Sequence, residues 1–198
     1  FRIKNVFWVI LKKERRLKFL MKNFTKILAF ILIFTFLTVF SFPKIAKADV
    51  DLAPQSKSAI LIDAVSGQVL FEKNKEEKLA PASVTKIMTL LLIMEALEDG
   101  RLKLDEVLTA SPEACRMGGS QIWLEPGEKM TAEDLIISVA VASANDSAYV
   151  LAERIAGSHD NFVKMMNEKA KELGMSNTNF VNCTGLDADE HYTTAEDI

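Results

Sequence analysis

Histidine is almost absent from this chain: His159 and His191 are the only two in 198 residues. Neither belongs to an H-E-x-x-H pair, and no G-x-S-x-G elbow occurs. Zinc-dependent and histidine-based hydrolysis are therefore disfavoured. His159 reads instead as a polar residue ahead of a helix. Cysteine is as scarce. Cys115 and Cys183 make too weak a pattern for a disulfide framework, and a domain of this size needs no staple. Both are expected to be free thiols without a catalytic role. The G-x-x-x-x-G-K-[ST] phosphate loop is missing. Acid is nearly missing from the first 48 residues, which hold 11 Lys and Arg against Glu14 alone. That leaves 13 of the 24 basic and 26 of the 27 acidic residues to positions 49–198. A net charge of −3 thus hides a basic leader and an acidic body. Such a body repels phosphate and argues against nucleic acid as a partner.

The leader has its own logic. From Met21 it reads MKNFTKILAFILIFTFLTVFSFPKIAKADV. Lys22 and Lys26 form a short positive stretch, Ile27 to Phe42 is uncharged and apolar, and Ala46-Lys47-Ala48 is a small-x-small cleavage signal. The run falls short of the roughly 18 apolar residues of a membrane span. Residues 21–48 are therefore expected to be a cleaved signal peptide, with the mature chain starting at Asp49 and exported. Residues 1–20 do not fit this pattern. KKERR at 12–16 could be encoded by purines alone, as a ribosome-binding site would be. The expectation is that 1–20 is translated upstream DNA and that synthesis starts at Met21.

The body begins with SAILIDAVSGQVLFEKN (58–74), two apolar β-branched runs around Ser66-Gly67, which reads as a hairpin. PASVTKIMTLLLIMEALEDG then opens a helix near Ser83 that runs to about Asp99, with Gly100 as its stop. Ile87, Leu90, Leu91, Met94 and Leu97 are apolar, and so are Met88, Leu92 and Ile93. A helix apolar nearly all round is expected at the centre of a domain. Thr131 reads as the N-cap of a second helix with Leu135, Ile136, Val139 and Ala140 inward, ending near Val141. DSAYVLAERIAG (146–157) reads as a third helix, and DNFVKMMNEKAKELG (160–174) as a fourth with Asp160 as its cap. Thr193 and Glu196 are spaced as a capping box for one more. Strands followed by helices predict an α+β fold.

The chemistry gathers at Ser83 and Lys86. Residues three apart on a helix are neighbours on one face, so Lys86 can reach Ser83 Oγ. A serine needs a base to become a nucleophile. A lysine becomes that base when apolar surroundings disfavour its ammonium form. The uncharged run after Lys86 supplies them, and the helix start places a positive dipole end near the reacting oxygen. The spacing alone is weak, since about one S-x-x-K is expected by chance in a chain this long. Ser41 and Lys44 match it inside the leader. Its bland reading is a helix-start serine with a snorkelling lysine. A second element is Ser143-Ala144-Asn145, the only S-x-N in the chain, at a helix junction. There Ser143 could shuttle a proton and Asn145 could hold a peptide carbonyl. The bland reading is helix punctuation.

Together the two elements resemble the signature S-x-x-K, S-x-N, K-T-G of penicillin-binding proteins and serine β-lactamases. LAPASVTKIMTLLL, GGSQIWLEPGEKMTAEDLI, ASANDSAYVLAERIAGS, MNEKAKELGMSNTNF and TGLDADEHYTTAEDI resemble the low-molecular-weight serine D-alanyl-D-alanine carboxypeptidases, over residues 53–198. The resemblance implies a helical subdomain plus an antiparallel sheet. It implies attack by Ser83 on the penultimate D-alanine of a peptidoglycan stem peptide, Lys86 as base, Ser143 in the relay and Asn145 on the substrate. β-Lactams would acylate Ser83, and no metal or cofactor is implied.

One element of the signature is missing. The chain has no K-T-G, and its only Thr-Gly, Thr184-Gly185, follows Cys183 and fits the family's Thr-Gly-Leu loop. In the family K-T-G lies further on, on a strand facing the nucleophile. The expectation is a C-terminally truncated domain: the sheet incomplete, the membrane-associating region beyond Ile198, and the 49–198 piece inactive and poorly folded alone. Two other readings share the opening motifs. A serine β-lactamase would want S-D-N and a deacylating Glu, which KELGMSN does not convincingly carry. A non-catalytic wall-binding module would keep the fold without the chemistry.

Overall fold

The computed structural model describes residues 51–198, so the leader, its cleavage point and the start at Met21 lie outside the described residues. The hairpin forms as expected. Strands β1 (Ala59–Ile62) and β2 (Val69–Lys73) pair antiparallel, with Ala59 opposite Lys73. Asp63 shapes the turn by accepting from the Ser66 N–H and hydroxyl, both at 2.7 Å, and Gly67 takes φ +72°, which only glycine adopts cheaply.

Helix α1 (Lys86–Glu98) follows a 3-10 turn, Ala82–Thr85. Ser83 therefore sits on that turn, just ahead of the α-helix. The helix ends at Asp99, and Gly100 at φ +76° is the left-handed residue beyond it. A second pair of strands, β3 (Val107–Thr109) and β4 (Lys129–Thr131), was not foreseen, because three-residue strands leave almost no periodicity to read. Thr131 caps helix α2 (Ala132–Ala142) by accepting from the Asp134 N–H. Helix α3 (Asn145–Ala156) ends at Gly157, and helix α4 (His159–Glu172) closes the set. Its cap is Ser158, which accepts from the Asn161 N–H, so Asp160 is a first-turn acid and His159 the first helical residue.

Two side-chain clusters meet along α1 and α3. Ile93 and Ala96 of α1 join Ala148 and Leu151 of α3, with Leu108 of β3 and Leu135 and Val139 of α2. One turn earlier, Met88 and Leu92 join Ala152, Phe162, Met166, Phe180 and Cys183. This double packing fixes the N-terminal end of α1 against α3, which is where the two sequence motifs lie.

Three sequence expectations fail. The capping box at Thr193 and Glu196 does not start a helix. Thr193 instead pairs with Leu79 in a β-bridge, and the Lys75 ammonium holds the Glu196 carboxylate at 3.0 Å. Ala140 faces solvent, and α2 buries Ala132 with Leu135, Ile136 and Val139. Finally, α1 is buried on one side only: Ile87 is 57 % exposed and Met94 44 %, and Leu91 and Val84 are exposed beside them. No described residue covers that face. Neither two-stranded sheet is large enough to do so, since stable sheets usually have three strands or more.

Candidate active site

The 3-10 turn leads from an exposed stretch into the core. Ser83 and Val84 are exposed, whereas Thr85 and Lys86 are buried. Ala82, at the start of the turn, has φ +47°, a conformation that costs a residue with a Cβ about 1–3 kcal/mol. Lys86 is only 4 % exposed, yet no carboxylate among the described residues pairs with it. Its Nζ lies 3.2 Å from Ser83 Oγ and 2.7 Å from the Thr184 carbonyl, to which it donates. Burial without a counter-ion pushes the Lys86 pKa below the usual lysine value, with the nearby Cys183 acting in the opposite direction. The Cys183 thiol is itself pushed up to about 12 by burial, with Lys86 acting in the opposite direction. In its neutral form Lys86 has two N–H groups and one lone pair. One N–H serves Thr184, and the lone pair is free to accept the Ser83 proton. The structure thus joins these two residues as the spacing predicts.

The second motif forms the corner between α2 and α3. Ser143 adopts φ +56° and ψ +35°, the left-handed conformation that ends α2. It is half-buried and, among the described residues, has no hydrogen bond to Ser83 or Lys86. Asn145 begins α3. Its Nδ2 donates to the Gly118 carbonyl at 2.6 Å, and its backbone N–H to Ser120 O at 2.8 Å. Its Oδ1 is buried with no partner, a state that costs stability unless a ligand donor fills it. The two motifs converge through the loops. A Cβ on Gly119 would lie 2.8 Å from Asn145 Nδ2 and 3.4 Å from Leu186, and the loop bearing Leu186 also carries Thr184 and Gly185. Gly185 in turn lies against the Ala82 carbonyl.

Several residues that shape this corner were missed. Asp146, fully buried, accepts backbone N–H groups from Ile122, Leu124 and Ser147 at 2.9–3.3 Å. It ties the start of α3 to the 118–124 loop and fixes Asn145 between them. Its adjacency to Ser143-Ala144-Asn145 was the available signal. Segment 179–194, from the other end of the chain, folds over the 3-10 turn. Thr89 Oγ1 donates to Cys183 O at 2.7 Å, one turn beyond the bond from Lys86 to Thr184. Both cysteines are free thiols.

The model of the D-alanyl-D-alanine carboxypeptidase family Peptidase_S11 matches residues 44–198. The chain belongs to this family. It is 49 % identical over 177 residues to the D-alanyl-D-alanine carboxypeptidase DacF of Bacillus subtilis, covering 87 % of this chain and 46 % of that one. It is 40 % identical over 149 residues to the carboxypeptidase DacC of Escherichia coli, covering 72 % and 37 %. Among solved structures, the carboxypeptidase DacD of Francisella tularensis superposes with a TM-score of 0.72 at 37 % identity, over 76 % of this chain and 36 % of that one. Penicillin-binding protein D2 of Listeria monocytogenes, in its ampicillin-bound form, does so with 0.64 at 32 % identity, over 72 % and 58 %. The fold is thus the α+β fold of the penicillin-binding proteins. The chain spans less than half the length of the two curated relatives, at 46 % and 37 %.

Proposed function

We propose that the full-length protein is a serine D,D-carboxypeptidase that removes the terminal D-alanine from peptidoglycan stem peptides. The observation that carries this reading is the 3.2 Å approach of a buried lysine without a counter-ion to an exposed serine. Ser83 attacks the carbonyl carbon of the penultimate D-alanine while Lys86 takes its proton. The peptide C–N bond breaks, the proton passes to the leaving D-alanine amine, and an ester forms on Ser83. Water then hydrolyses the ester through Lys86 and Ser143. The orphan Oδ1 of Asn145 supplies an acceptor for an N–H of the bound peptide. A β-lactam offers a strained cyclic amide in place of the scissile peptide bond and acylates the same oxygen as its ring opens. Export by residues 21–48 places this chemistry outside the cytoplasmic membrane, with a membrane-associating region beyond the described chain. Residues 49–198 form the N-terminal part of the catalytic domain, and the missing K-T-G strand would complete the cleft.

The test is D-alanine release from a pentapeptide ending in D-Ala-D-Ala. The full-length protein is expected to release it, and to stay acylated after one equivalent of penicillin. Rapid turnover of penicillin would favour the β-lactamase reading instead. The isolated 49–198 segment is expected to release none, because it lacks K-T-G and the apolar face of α1 at Ile87, Leu91 and Met94 is left exposed by the described residues.

The Thr184-Gly185-Leu186 loop sets a further requirement. Gly185 has φ +86°, and a Cβ there would lie 1.8 Å from the Ala82 carbonyl oxygen. Gly185→Ala must push the nucleophile turn aside. Acylation by penicillin is expected to slow about 100-fold, as displacements near 1 Å do. Gly67→Ala separates the causes. Its φ is +72° with nothing within 4 Å of the new Cβ, so it should lose about 1–2 kcal/mol of stability and acylate normally.

A further inference from the structure

Thr85 lies between Ser83 and Lys86 in the sequence but faces the interior, with no exposed surface. Its hydroxyl meets the His191 ring, Oγ1 to Nε2, at 2.8 Å. The other ring nitrogen, Nδ1, accepts the Val181 backbone N–H at 2.9 Å. A neutral imidazole that accepts at Nδ1 carries its proton at Nε2. His191 therefore donates to Thr85. Protonating Nδ1 would face a proton with another N–H. Burial opposes it as well and pushes the His191 pKa below the usual value, with Asp187 acting in the opposite direction.

The ring is held from several sides. His191 is 5 % exposed, and Phe180 meets it edge-on with centroids 5.9 Å apart. Two residues on, Thr193 exchanges both backbone hydrogen bonds with Leu79, at 2.9 and 3.0 Å. That anchors the histidine segment to the stretch of chain leading into the 3-10 turn. At its start the turn is held by backbone, the Val84 N–H donating to the Pro81 carbonyl at 3.1 Å. It has no side-chain cap, and Ala82 holds a left-handed conformation. Of the two inward side chains, Lys86 is committed to proton transfer. Thr85 is the one free to act as a fixed anchor.

We propose that His191 is a positioning residue for acylation: its Nε2–H holds Thr85 Oγ1, and through it the turn that keeps Ser83 Oγ at Lys86 Nζ. The inference rests on the serine chemistry proposed above. It assigns a function to one of only two histidines in the chain, one that contacts neither Ser83 nor Lys86 through any hydrogen bond.

The experiment uses the full-length protein and a fluorescent penicillin, reading the second-order acylation rate with the melting temperature in parallel. His191→Asn keeps an acceptor near Nδ1 and loses the donor. His191→Gln keeps a donor near Nε2 and loses the acceptor. Thr85→Val removes the hydroxyl and keeps the shape. His191→Asn and Thr85→Val are each expected to slow acylation about 10- to 100-fold. The double variant should be no slower than the worse single one, as for two ends of one interaction. His191→Gln should stay within about threefold of the parent, whatever its melting temperature. Equal losses in the Asn and Gln variants, losses that follow melting temperature, or additive effects of Thr85→Val and His191→Asn would each overturn the proposal. If His191→Asn fails to fold, Thr85→Val alone decides: an unchanged rate overturns it. A parent protein that neither binds penicillin covalently nor releases D-alanine would sink the serine reading itself, which separates the two failures.

Discussion

Lys86→Ala in the full-length protein is expected to slow acylation by penicillin by about 10²–10⁴-fold, the usual worth of a positioned general base. The geometry leaves Ser83 no other base. Lys86 Nζ is the only side-chain partner of Ser83 Oγ among the described residues, and neither histidine bonds to it. Lys86→Arg should not rescue the rate. Guanidinium keeps its proton at any working pH and cannot accept another. The parent protein should also show a pH profile with a definite sign. Burial lowers the Lys86 pKa, so the neutral, accepting form grows as pH rises through that lowered value. Acylation should therefore accelerate with rising pH and level off below the ordinary lysine range near 10.4. Stopped-flow fluorescence from pH 6 to 10 would read this, on the scale set by ordinary lysine titration. In Lys86→Ala the limb should vanish along with the rate. A limb that survives the substitution would assign the proton transfer elsewhere.

What the sequence revealed and what it hid divide by distance along the chain. Ser83 and Lys86 were legible because a separation of three is a helical neighbour relation, true before any tertiary contact forms. Thr131 was legible as a cap for the same local reason. His191 was not, because its partner Thr85 lies 106 positions away. No local pattern marks that pairing. The Thr193–Glu196 box failed in the opposite sense. Its local signal was sound, but the bridge to Leu79 and the ion pair to Lys75 both reach across the fold and override it. Helix α1 shows a third case. Its all-round apolarity predicts central burial, whereas Ile87, Leu91 and Met94 stand exposed. The described residues leave that face uncovered, and the chain spans 46 % of the length of the Bacillus subtilis relative.

Ser83 carries the central claim, and its substitution should have the largest effect of all. Other reactive groups nearby are engaged or inert. Thr85 is bonded to His191, Thr89 to the Cys183 carbonyl, and the Cys183 thiol is fully buried with its pKa raised to about 12. Among the described residues, only Ser83 combines an exposed side-chain oxygen with contact to Lys86. Loss of a catalytic nucleophile typically lowers rate by about 10⁶-fold, which in a labelling experiment means no adduct. The decisive measurement is to treat the full-length protein with penicillin, digest it, and locate the added acyl group by tandem mass spectrometry. One adduct per chain, on Ser83 and absent from Ser83→Ala, is the predicted result. An adduct on Ser143, or undiminished labelling of Ser83→Ala, would contradict the account.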